Sequence, residues 1–242
     1  MAPDRALVQA LRVALAAQAQ PAKAAAMQAY MKSVLPFHGI DAPTRRHTVA
    51  AVAARRPLAD AQALGDTVLA LWRGAGHREE RYAALDLLRL PRQRGLIDLN
   101  LLPVLHELIE SGAWWDHNDE ISGIALPLLL QAHPAQLKPV LREWARSDSL
   151  WLRRAAILCQ RGLKDGFDAV LLYDCILPSI GDGPLAREFF IRKGIGWALR
   201  QRSYAAPAEV QAFCDEYRAQ LSPPTLREAL RVIAKRKAAA HP

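Results

Sequence analysis

Residues 111–123 read SGAWWDHNDEISG, an unusual density of aromatic and acidic groups. Trp114 and Trp115 are adjacent, and Asp116 and Asp119 follow within four residues of them. A packed core accepts tryptophan but disfavours an unpaired carboxylate beside it. Two readings stay open at this point. Asp116 or Asn118 can cap a helix whose first turn holds Asp119 and Glu120, where negative charge suits the helix dipole. Alternatively, a carboxylate and aromatic faces act together as a site.

Three further segments carry groups able to bind or react. In LWLRRAAILCQ, residues 150–160, Arg153 and Arg154 precede an apolar run. Adjacent helical residues point about 100° apart, so one arginine can face an inner surface while the other faces a neighbouring loop. In REFFIRKGIGWALRQRS, residues 187–203, Phe190, Lys193, Trp197 and Arg200 recur at spacings of three and four and share one helical stripe. Such interleaving suits stacking and cation–π contact with nucleic-acid bases, and it also suits a core stripe bordered by snorkelling cations. In MQAYMKSVLPFHGIDAPTRRH, residues 27–47, Tyr30 and Lys32 lie near a helix end, and Arg45 and Arg46 open the next helix. Helix-start N–H groups with nearby arginines can hold phosphate. No dinucleotide fingerprint, Walker lysine loop, zincin motif or serine elbow occurs. His117 lies beside the carboxylates without ligand partners at metal spacing, so neither a metal nor a cofactor is expected.

These residues need elements to position them, and nearly every segment has a helical period. Helices are expected at 4–18, 21–33, 42–54, 58–73, 77–89, 98–110, 117–132, 135–147, 150–163, 167–177, 184–201, 206–219 and 224–236. Pro21, Pro43, Pro184 and Pro224 fall near helix starts, where a missing N–H costs little. No long polar linker divides the chain, so residues 1–242 are read as one domain. RYAALDLL, RRAAILCQ, RKGIGWAL and REALRVIA repeat a polar opening followed by small and apolar residues. Aligning Tyr82, Arg154, Lys193 and Glu228 leaves one unit missing near residue 118, and Asp119 fills it with steps of 37, 35, 39 and 35 residues. That is the period of a helix pair in HEAT-type repeats. The expected fold is all-α, a curved α-α superhelix of HEAT-like repeats with a concave basic groove. Tyr82, Asp119, Arg154, Lys193 and Glu228 would line its inner surface, backed by Ala83, Ala155, Gly194 and Ala229.

Composition limits the partners. The 242 residues are 51% hydrophobic and 23% charged, as in a folded globular protein. There are 32 Lys+Arg against 24 Asp+Glu, a net charge of +8, which favours an anionic partner such as nucleic acid or a membrane surface. No apolar run approaches the roughly 20 residues that span a bilayer, and the N-terminus shows no signal pattern. Cys159, Cys175 and Cys214 are odd in number and widely spaced, which indicates neither a disulfide framework nor a zinc ribbon. A reduced, cytoplasmic, soluble protein is expected, without membrane contact.

Taken in order, YMKSVLPFHGIDAPTRR (30–46), WWDHND (114–119), WLRRAAIL (151–158) and FFIRKGIGWALR (189–200) resemble the AlkD-like DNA alkylation repair family, glycosylases built from HEAT-like repeats. The resemblance runs from about residue 20 to residue 236. It implies removal of cationic N3- or N7-alkylated purines from double-stranded DNA by a monomer. Its catalytic aspartate matches Asp119, its site tryptophans match Trp115 and Trp197, its concave-face arginine matches Arg154, and its N-terminal tyrosine matches Tyr30. Trp114 would then be a packing residue. Arg154, Lys193 and Arg200 would hold phosphates, joined by Lys32, Arg45 and Arg46, with Phe190 on the same DNA-binding stripe. The sequence departs from the pattern at His117, at Asn118, where an apolar residue is expected, and in the SIGDGPLAR stretch. Two other readings compete: a non-catalytic binder of damaged or branched DNA with the same fold, and a HEAT-type protein-interaction scaffold.

Overall fold

Local sequence accounts for most helix starts in the computed structural model, which describes residues 2–163 and 166–240. The carboxylates of Asp4, Asp41, Asp60 and Asp168 accept the N–H of Leu7, Thr44, Ala63 and Leu171 respectively, each at 2.8–3.0 Å. Each cap satisfies one orphan donor of a first turn. Proline serves the same purpose differently at Pro21, Pro91, Pro134, Pro207 and Pro223, where no N–H is left to satisfy.

The chain forms two compact units dividing after Leu108, and all regular structure among the described residues is helical. The first unit holds α1 (Arg5–Ala16), α2 (Pro21–Met31), α3 (Ala42–Ala54), α4 (Ala61–Arg73), α5 (Arg78–Arg89) and the short α6 (Pro91–Arg94). A 3-10 turn at Leu99–Leu101 leads into α7 (Leu102–Gly112). Leu7, Leu11 and Leu15 recur every fourth residue on α1 and are fully buried with Val49 of α3 and with Leu64, Val68 and Leu71 of α4.

The second unit holds α8 (Trp115–Ala132), α9 (Pro134–Trp144), α10 (Leu150–Leu158), α11 (Ala169–Ile176), α12 (Phe189–Ser203), α13 (Pro207–Glu216) and α14 (Pro223–Ala240). Helices α8, α10, α12 and α14 pack each on the next as one layer, and α9, α11 and α13 pack behind them. This is the alternation that a helix-pair repeat requires. The small residues behind the repeat row do what the spacing asks of them. Ala83, Ala155 and Ala229 are fully buried, and a Cβ on Gly196 would come within 3.0 Å of the Glu228 Cβ and 3.2 Å of the Thr225 carbonyl. Glycine there lets α12 and α14 approach closely.

Several boundaries differ from expectation, for local reasons. The helix expected at 184–201 begins only at Phe189, because Leu185 has a φ of 61° and breaks the turn that Pro184 would open. The helix expected over 150–163 ends at Leu158, and a turn with Gly162 at φ 87° follows. The segment at 98–110 starts as a 3-10 turn under an Asp98 cap. Among the described residues, no helix is long and apolar enough to cross a membrane.

Candidate active site

The segment 111–123 folds differently from a capped helix start. Ala113 takes a φ of 36°, Trp114 is extended at the N-cap, and α8 begins at Trp115 with no side-chain cap. Asp116 therefore lies inside the first turn, where its charge meets exposed N–H groups, and is not the cap. Asp119 follows one turn after Trp115 on the same face of α8. Asn118 is buried and ties α8 to α10: its amide donates to the Trp151 carbonyl at 2.7 Å, and its carbonyl oxygen accepts from the Ser122 hydroxyl at 3.3 Å. That explains a polar residue where an apolar one is expected. His117 is buried too, with Nδ1 3.3 Å from the Gly112 carbonyl oxygen.

Asp119 is 6% exposed and faces Arg154, which is 3% exposed. The contact is bidentate: Arg154 Nε donates to Oδ1 and Nη2 to Oδ2, both at 3.0 Å. The third nitrogen, Nη1, donates to the Phe190 carbonyl at 2.5 Å. One guanidinium thus joins α8, α10 and α12. Gly194 makes this possible, since a Cβ there would stand 3.2 Å from Arg154 Nη1. Burial pushes the Asp119 carboxyl above its usual value of 3.8, while the charge and hydrogen bonds of Arg154 pull against that rise. Burial also lowers Arg154, with Asp119 opposing. Both directions express the cost of enclosing charge, which the fork geometry only partly offsets. The adjacent Arg153 turns the other way, donating to the carbonyls of Ser147, Arg146 and Pro178 and to Ser179. It fixes loops.

An aromatic cluster adjoins this pair through Phe190, whose carbonyl accepts from Arg154. Trp114, Trp151 and Phe190 pack with ring centroids 5.2–6.3 Å apart, so Trp114 is a packing residue and Phe190 shares its cluster. Phe189 abuts Phe190 edge-on at 5.3 Å and is 64% exposed. Trp115 and Trp197 are both partly exposed. Arg161 links Trp197 to the aspartate: its guanidinium lies 4.8 Å from the Trp197 ring centroid, and its Nη2 donates to the Asp119 carbonyl at 2.7 Å. A cleft beside Trp197 is lined by Ile157, Arg161, Phe167 and Gln201 among others.

On the α12 stripe, Lys193 is exposed, whereas Arg200 pairs with Glu228 of α14. In the first unit, Tyr30 is 77% exposed and Lys32 ends α2 with a φ of 50°, its side chain in solvent. Arg46 is partly exposed, with Nε 3.5 Å from Asp86. Arg45 is enclosed: Nε donates to Asp86 at 2.6 Å, and its guanidinium lies 4.7 Å from the Tyr82 ring centroid. Arg45 and Arg154 therefore differ from the expectation that they reach phosphate, because each is buried against a carboxylate. Arg161 and the bond from Asn118 to the Trp151 carbonyl escape the sequence reading. Arg161 lies seven residues, about two helical turns, beyond Arg154 and within the helix expected over 150–163, a spacing that could have marked it.

The model of a family described as DNA alkylation repair enzyme matches residues 11–233. A solved structure described as a predicted DNA alkylation repair enzyme from Enterococcus faecalis is 28% identical, covers 90% of this chain and 97% of its own, and superposes with a TM-score of 0.77. No curated protein matches the chain.

Proposed function

Because the chain belongs to the DNA alkylation repair enzyme family, we propose that it is a DNA glycosylase that releases cationic N3- or N7-alkylated purines from double-stranded DNA. The observation that carries the reading is the buried Asp119–Arg154 fork, held one turn from Trp115 and linked through Arg161 to Trp197.

The chemistry asks little of an acid. Alkylation at N3 or N7 leaves the purine positively charged, so the base departs as a neutral molecule without being protonated. As the C1′–N9 bond breaks, its electron pair goes to the base and positive charge grows on the sugar. The Asp119 carboxylate stabilises that oxocarbenium-like charge and orients a water toward C1′. Water oxygen bonds to C1′, and its proton passes to the carboxylate and then to solvent. Trp115 and Trp197 offer aromatic faces to the sugar and the cationic nucleotide. Arg154 keeps Asp119 in place and ionised, and exposed cations such as Lys193, Lys32 and Arg46 meet phosphates. The scheme works from the sugar side and requires no pocket for a flipped base. The proposal has one copy of the chain acting on DNA in the cytoplasm.

A non-catalytic binder of damaged DNA is the second reading, and one observation favours it: Arg154 already bonds both oxygens of Asp119. Release of 7-methylguanine or 3-methyladenine from methylated duplex DNA separates the two. The glycosylase reading expects release by the wild type and its loss in Asp119→Asn. Binding without release by the wild type selects the binder.

A further inference from the structure

We propose that His38, His77 and Glu80 form a binding site for a divalent cation of the zinc type. The inference is independent of the proposed activity. One ligand atom from each residue lies within 4.8 Å of those from the other two. The two imidazoles are stacked face to face, with centroids 3.7 Å apart and planes 14° from parallel. His77 Nδ1 lies 3.7 Å from Glu80 Oε1, and His38 Nε2 is enclosed without a hydrogen-bond partner. Two neutral imidazoles and a carboxylate suit Zn²⁺, with a fourth position left for water.

The surroundings hold each donor. Glu79, fully buried, accepts the N–H groups of His38, Gly39 and Ile40 at 2.9–3.1 Å, which fixes the loop that carries His38. Glu80 Oε2 accepts Arg12 Nε and the Gly76 N–H, both at 3.1 Å, so Oε1 is the oxygen that faces His77. Such outer partners orient ligating groups in metal centres. The in-plane lone pairs of stacked rings run parallel, so binding requires the partly exposed His77 ring to turn out of the stack. That turn closes the donors from within 4.8 Å toward the roughly 3.3 Å separation of tetrahedral zinc ligands. His77 and Glu80 stand three apart at the start of α5, but His38 comes from the loop between α2 and α3. That separation hides the set from a search for short ligand spacings. A bound cation would tie that loop, which follows Tyr30 and Lys32, to α5.

Cobalt(II) titration of the chelator-treated full-length protein tests the site. One equivalent is expected to develop visible d–d absorption that Zn²⁺ abolishes by displacement. His38→Gln and His77→Asn should each weaken binding by at least about tenfold. Zn²⁺ at about a hundredfold excess over Kd should raise Tm by about 5–10 °C in the wild type and not in His77→Asn. The partial exposure of His77 makes that variant the safer one, and unchanged metal-free circular dichroism checks its fold. No cobalt absorption in the wild type, or binding unchanged in His77→Asn, overturns the proposal.

Discussion

Asp119 and Arg154 meet across two helices with nearly all of their surface removed from water. Removing one member of such a pair leaves the other charged and enclosed, so Arg154→Ala is expected to destabilise the fold by about 3–5 kcal/mol, read by denaturant unfolding. A conservative Arg154→Lys keeps the charge but not the fork, and should recover only part of that loss. The same burial makes a prediction about pH. The proposed mechanism needs Asp119 ionised, and burial raises its carboxyl above 3.8, chiefly by desolvation. The single-turnover rate of base release should therefore be flat near neutrality and fall as pH drops through a value above 3.8. An acid limb at or below the ordinary aspartate value would contradict a buried carboxylate as the essential group. The adjacency of Asp119 and Arg154 is legible in the sequence because both occupy the same position of a repeat. The burial of Arg45 is not, since its partner Asp86 lies 41 residues away on another helix.

At the scale of elements, the second unit depends on how closely α12 meets its neighbours. Gly194 admits the Arg154 guanidinium from α10, and Gly196 admits Thr225 and Glu228 from α14. Gly196→Leu is expected to cost about 1–3 kcal/mol by overpacking and to lower Tm, measured by thermal melting. Helix positions are legible where capping chemistry is local. Asp41 and Pro43 delimit α3, and the helix at 42–54 follows from them. The start of α8 is not, because Ala113 at positive φ and an extended Trp114 start it without any capping side chain. Nor is the start of α12, which Leu185 delays. Backbone conformations outside the usual regions for alanine and leucine leave no mark in residue type. They follow from packing that only the assembled helices supply.

For the molecule as a whole, a net charge of +8 is the first term in any encounter with DNA. Binding to duplex DNA should weaken with salt at a log–log slope of about −0.9 per phosphate neutralised, and Lys193→Ala should reduce that slope by about 1. A slope unchanged in Lys193→Ala would remove Lys193 from the phosphate contacts. The all-helical repeat character is readable from a period of 35 to 39 residues in the sequence, and the alternating layers of α8–α14 have that character. The most direct test of the account is the rate of 7-methylguanine release from methylated duplex DNA by the wild type and by Asp119→Asn, with DNA affinity measured alongside. The account predicts release by the wild type and a loss of about 10²-fold or more in the variant at similar affinity. Equal release by both proteins would contradict it.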